Sequence, residues 1–75
     1  MQIGGVVVDG PYSKFDSEWE EMPEWVMVKV DLEGKDMGEV VYFDSYEAAM
    51  AAGEKLADKL GVEFIPEASP AGGFW

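Results

Sequence analysis

The chain has 75 residues, with 16 Asp and Glu set against 5 Lys and with no Arg, His or Cys, and its formal charge is -11 at neutral pH. That inventory excludes disulfides, thiolate and imidazole metal sites and any Ser-His triad. It also opposes direct binding to nucleic acid, whose phosphates demand cations that release counterions.

The Leu, Ile, Val and Phe content, about a quarter of the residues, exceeds the roughly 20% below which a charged chain stays unfolded. One small domain over 1-75 with a thin core is expected. The longest apolar run, Ile3 to Val8, is far short of the roughly 20 residues of a membrane span. Met1-Gln2 lacks the basic start of a signal peptide. No membrane association and a cytoplasmic location are the corresponding expectations.

Ile3 to Val8 is β-branched and reads as a first strand, closed by the turn residues Asp9-Gly10-Pro11. Residues 10-24 show no strand pattern and are expected as a long acidic loop, with Ser17 and Glu20 at capping-box spacing for a helical turn up to Met22. From Trp25 to Glu33 the chain alternates. Val26, Val28, Val30 and Leu32 share the face expected to meet the core; Trp25, Met27, Lys29, Asp31 and Glu33 share the other.

Glu33-Gly34-Lys35-Asp36 supplies a hairpin turn into Met37 to Phe43, which is apolar on both faces and is therefore expected as a central or covered strand. Asp44 with Glu47 predicts a capped helix over about Ser45 to Leu60. Its apolar stripe is Tyr46, Ala49, Met50, Gly53, Leu56, Ala57 and Leu60, and Gly61 is placed as its C-terminal cap. Gly53, unfavourable in mid-helix by about 1 kcal/mol, implies a close approach of helix to sheet. Val62 to Ile65 reads as a short last strand stopped by Pro66, and 67-75 as an irregular tail ending in Phe74-Trp75. The fold expected is α+β, a small antiparallel sheet of three to four strands with one α-helix packed on one face.

The order strand, turn, strand, helix from Val26 to Leu60 resembles the plan of small three-strand-plus-helix modules, including the arm-binding domains of phage integrases. The resemblance implies a fold and no more. Those modules present basic residues to DNA, where this chain has Asp31, Glu33 and Glu39.

The strongest functional signal is acidic. Asp16, Glu18, Glu20, Glu21 and Glu24 occur without a base among them and are interleaved with Trp19, Met22 and Trp25, the pairing of aromatic anchor and charged rim that interfaces favour. From Asp16 to Glu47 the net charge is -9, and Asp31, Glu33, Asp36 and Glu39 are expected to extend the loop's charge along one sheet face. Spaced carboxylates of this kind imitate a phosphate backbone.

The expected function is that of a small protein-binding inhibitor. It resembles phage-encoded inhibitors of host defence or transcription, and would occupy a basic, nucleic-acid-binding surface of its target. The partner-binding residues are Asp16, Glu18, Trp19, Glu20, Glu21, Glu24, Trp25, Asp31, Glu33, Asp36 and Glu39. The alternative is a non-catalytic accessory or structural interaction domain, alone or as a homodimer, whose charge serves solubility. No enzyme activity, cofactor or metal is expected, because adjacent carboxylates point apart and Asp31 to Asp36 lacks the distal Glu of a calcium loop.

Overall fold

The computed structural model describes residues 2–15 and 18–70. The elements in chain order are β1 (Ile3–Phe15), β2 (Glu21–Asp31), β3 (Asp36–Phe43), α1 (Tyr46–Leu60) and β4 (Glu63–Pro66). The strands form one sheet in the order β3-β2-β1-β4, and α1 packs on one face, so the α+β class is as expected. The first three strands are antiparallel neighbours, whereas β4 joins β1 in parallel and makes the sheet mixed. The helix causes this: it is a crossover that returns the chain to the end from which β1 and β3 both start.

β1 does not stop at Val8. It runs through Asp9-Gly10-Pro11, where a register shift between Asp9 and Tyr12 absorbs the irregular residues. Gly10 takes φ 134, its peptide bond to Pro11 is cis, and its N–H donates to Asp9 Oδ1 at 2.8 Å. A bulge is where a strand tolerates a residue without a ladder N–H. The segment 10–24, expected as a loop, is therefore largely ladder, with Tyr12 opposite Glu24 and Lys14 opposite Met22. Glu21 and Met22 belong to β2 rather than to a helical turn, and Ser17 lies outside the described residues.

The faces of β2 are the reverse of the expected ones. Trp25 and Met27 are buried beneath α1 with Val6, Val8, Ala49 and Ala57. Val26 and Val28 point to the opposite face, and Leu32, expected in the core, is exposed. Strand alternation allows only one set inside, and magnitudes decide which. Burying an indole removes about 200 Å² from water, on the order of 5 kcal/mol, and Met27 adds about 2; Val26 and Val28 together offer about 4. Val30 is also buried, on the face away from the helix, where it and Ile65 close over Gly5.

Trp25 also bridges elements. Its ring meets Tyr46 edge-on at 6.4 Å, and its indole N–H donates to the Ser69 carbonyl at 2.9 Å. Glu67 and Ser69 in turn donate backbone N–H bonds to Val8 and Gly10, so 67–70, though irregular, is stitched to β1. Phe74 and Trp75 lie outside the described residues.

Ser45, not Asp44, caps α1. Its backbone is extended and its Oγ accepts the Ala48 N–H at 3.0 Å, while the Asp44 carboxylate turns toward Lys14. At the other end Gly61 takes the left-handed conformation at φ 68, with its N–H on Asp58 and that of Val62 on Ala57, a Schellman closure. The apolar stripe is as read up to Ala57; Leu60, at its end, is exposed.

Mid-helix Gly53 is buried, and a Cβ there would run into Val8 Cγ2 and lie 2.8 Å from Phe64 Cε1. The overlap outweighs the roughly 1 kcal/mol that Ala adds in an exposed helix. Gly53→Ala is expected to lower stability by about 1 to 2 kcal/mol in urea unfolding. A midpoint equal to or above that of the parent protein would refute the close approach.

Candidate functional site

β3 ends opposite Trp25 and β4 opposite Val8, so β1 and β2 continue past both as a two-stranded ribbon, with Glu18, Trp19 and Glu20 leading into β2 at its far end. Polar contacts brace its root. Asp9 accepts the Tyr12 hydroxyl as well as the Gly10 N–H, and Lys14 Nζ lies 3.2 Å from Glu24 Oε2 and 3.5 Å from Asp44 Oδ1. The hydrogen bond to Asp9 holds the Tyr12 phenol above its ordinary range, because an ionised phenol cannot donate to a carboxylate. The Glu24 carboxylate likewise raises Lys14, with the charge of Asp44 adding to it.

At the tip, Glu18, Trp19, Glu20 and Glu21 are all exposed. Trp19 is 82% exposed and sits at φ 64, a left-handed conformation that L residues other than Asn and Asp adopt uncommonly. A hydrophobic side chain of this size is thereby held largely in water. Met22, on the adjoining stretch of β2, is also exposed.

The remaining expected site residues separate from this group. Trp25 is not a surface residue: at 1% exposure it is the largest side chain of the core. Glu24 is half-buried in its pair with Lys14. Asp31 is a turn residue whose Oδ1 accepts the N–H groups of Glu33 and Lys35, both at 2.9 Å, and Asp36 Oδ1 accepts that of Gly38 at 2.6 Å. Glu39 pairs with Lys29 at 3.1 Å. Glu33 is exposed in the turn, and Asp16 lies outside the described residues.

β2 separates the tip from the turn, and eleven extended residues span roughly 33 Å. The acids thus form two clusters at opposite ends of one strand, not the single continuous face that the sequence suggested. Lys29 and Glu39, moreover, lie on the helix side of the sheet, at its uncovered margin.

The face away from the helix is apolar. Val7, Val26, Val28 and Ile65 are half-buried on it, and Val40 and Tyr42 are exposed, Tyr42 to 61%. No described element covers them. The sequence signal for this face was present in the valine alternation of β2, but it pointed equally well to a core.

No helix among the described residues is long and apolar enough to cross a membrane, and these residues contain no group of three or more Asp and Glu side chains placed to hold a metal ion. No protein-family model, curated protein or solved structure matches the chain.

The ribbon root has a definite pH signature. Tyr12 and Lys14 are both raised in the folded state, so the stability they contribute is present below their ordinary values and is lost as pH rises through the folded ones. The root is thus expected to hold through neutral pH and to loosen only in alkali. Asp9→Asn should bring the Tyr12 midpoint down toward the ordinary phenol range, read from its ring signals in an NMR titration. An unmoved midpoint would exclude Asp9 as the cause.

Proposed function

We propose that this protein is a non-catalytic inhibitor of the phage type, acting in the cytoplasm by inserting the acidic ribbon tip into a basic, nucleic-acid-binding surface of another protein. One observation carries the reading: Trp19 stands 82% exposed at the end of a braced ribbon, with Glu18, Glu20 and Glu21 around it. An exposed indole gains most of its binding energy by desolvation in a partner's pocket, and surrounding carboxylates steer it toward basic surfaces and reject acidic ones. The ribbon suits this task because its root is fixed by the Asp9–Tyr12 and Lys14–Glu24 contacts, which reduces the ordering cost of docking.

The alternative is an accessory interaction domain without inhibitory action, and the apolar sheet face favours it. That face has the composition of an interface centre.

Two expectations test the tip. Trp19→Ala should leave thermal unfolding within about 0.5 kcal/mol of the parent, and should weaken binding to a captured basic partner by about 2 kcal/mol or more. Replacing Glu20 and Glu21 together with Gln should cost less affinity and flatten its fall with ionic strength. The partner should be displaced by added duplex DNA. A partner indifferent to DNA and bound equally by Trp19→Ala would end the inhibitor reading.

A further inference from the structure

The two edges of the sheet are unlike. β4 has four residues and ends in Pro66, as protected edges do. β3 has eight residues; its first half is guarded by a register shift with Gly38 at φ 95 and by Asp36 and Glu39, its second half from Val40 to Phe43 pairs regularly with β2, and no strand among the described residues pairs with its outer side. Its sequence predicts a central or covered strand, since Val41 and Phe43 on one face and Val40 and Tyr42 on the other are all apolar. It is in fact an edge, and Val40, Val41 and Tyr42 are exposed. The regular apolar stretch from Val40 to Phe43 is a template for another strand.

The geometry points to a second copy of this chain as the occupant, with the two β3 strands paired antiparallel about a two-fold axis through Val41. Charge and the length of regular strand together select the register. With the axis at Val41, Val41 faces its own copy, Val40 faces Tyr42, Glu39 faces Phe43 and Asp44 faces Gly38, so no acid opposes an acid. Moving the axis to Val40 sets Asp36 against Asp44, and moving it to Glu39 sets two Glu39 carboxylates face to face, where like charges directly opposite are destabilising; moving it to Tyr42 opposes no acids but pairs only Val41 to Phe43, since β3 ends there. The Val40–Tyr42 pair, made twice, is the β-branched–aromatic combination that stabilises neighbouring strands.

The same two-fold resolves the repulsion between two chains of charge -11. Antiparallel pairing reverses one sheet relative to the other, so the two ribbons and their acidic tips extend from opposite ends of the dimer. Both helices fall on one side of an eight-stranded sheet, and the two half-exposed valine faces join on the other. An isologous contact of this sort closes on itself and leaves only the short β4 edges outside. Screening of the residual repulsion makes the dimer tighten as salt is added, opposite in sign to the salt response expected of the ribbon tip.

The test uses the full chain in sedimentation equilibrium across a wide concentration range at low and moderate salt. A monomer–dimer equilibrium that strengthens with salt is expected. Val41→Lys places two ammonium groups opposite each other and is expected to raise the dissociation constant roughly tenfold or more with the circular dichroism spectrum retained.

Because the chain has no cysteine, register is read by oxidative cross-linking of single-cysteine variants. Val41→Cys should cross-link with itself. Val40→Cys should cross-link with Tyr42→Cys in a mixture and poorly with itself, and Leu32→Cys, exposed in the distant turn, should not cross-link. A parent protein that stays monomeric at every concentration, a dimer untouched by Val41→Lys, or self-linking of Val40→Cys as fast as that of Val41→Cys would overturn the proposal. Because Trp19→Ala does not touch β3, the dimer and the tip fail or stand separately.

Discussion

The burial of Trp25 is the constraint on which the rest of the molecule depends. A thin core in a chain this small has few large apolar groups to use, and an indole placed under the helix contributes on the order of 5 kcal/mol, comparable to the net stability of such a domain. Placing it there orients β2 residue by residue: Met27 turns inward beside it, Lys29 reaches the margin where Glu39 meets it, and Val26 and Val28 turn away. The indole N–H then needs an acceptor, and the Ser69 carbonyl provides it, which holds the segment after β4 against β1. Strand, helix and final segment are locked by one side chain.

Close packing above that side chain explains the composition of the helix. Ala49, Gly53 and Ala57 are its buried positions, all small, and they let the helix axis approach Val8 and Phe64 so that a thin layer of side chains fills the space. The larger residues of the stripe, Tyr46, Met50 and Leu56, flank this seam and pack at its sides. A core built from small helix residues and one large strand residue has no apolar surface left to cover the second face of the sheet, and that face stays open.

The excess negative charge is distributed by the same economy. The chain has five lysines for sixteen acids, and among the described residues ion pairs sit at structural joints: Glu24 and Asp44 with Lys14 at the ribbon root, Glu39 with Lys29 at the sheet margin. Asp9, Asp31 and Asp36 use backbone or hydroxyl donors instead and shape bulge and turn. Further carboxylates stand where the chain is furthest from the core, at the ribbon tip and in the β2–β3 turn, since repulsion between ionised groups is least costly where water screens it best.

The helix, its Gly61 cap, the close approach at Gly53 and the hairpin turn around Gly34 were legible in the sequence because each is set by residues a few positions apart: the 3.6-residue period and the left-handed tolerance of Gly; the bonds from the Asp31 side chain to the turn amides were not. The class of fold followed from their order. The acidic residues around Trp19 were legible as a group for the same reason, but their standing on a ribbon was not, because Asp9-Gly10-Pro11 reads locally as a turn and becomes a bulge only when β2 pairs on both sides of it.

The alternation of β2 pointed to the valine face as the inner one, because Lys29, Asp31 and Glu33 share the other face with Trp25 and Met27, yet it is Trp25 and Met27 that lie buried under the helix. Only the tertiary structure could decide. The decision rests on contacts between residues distant in the chain, above all Trp25 with Tyr46 and with Ser69, and no local pattern encodes the energy gained when those elements meet around one indole.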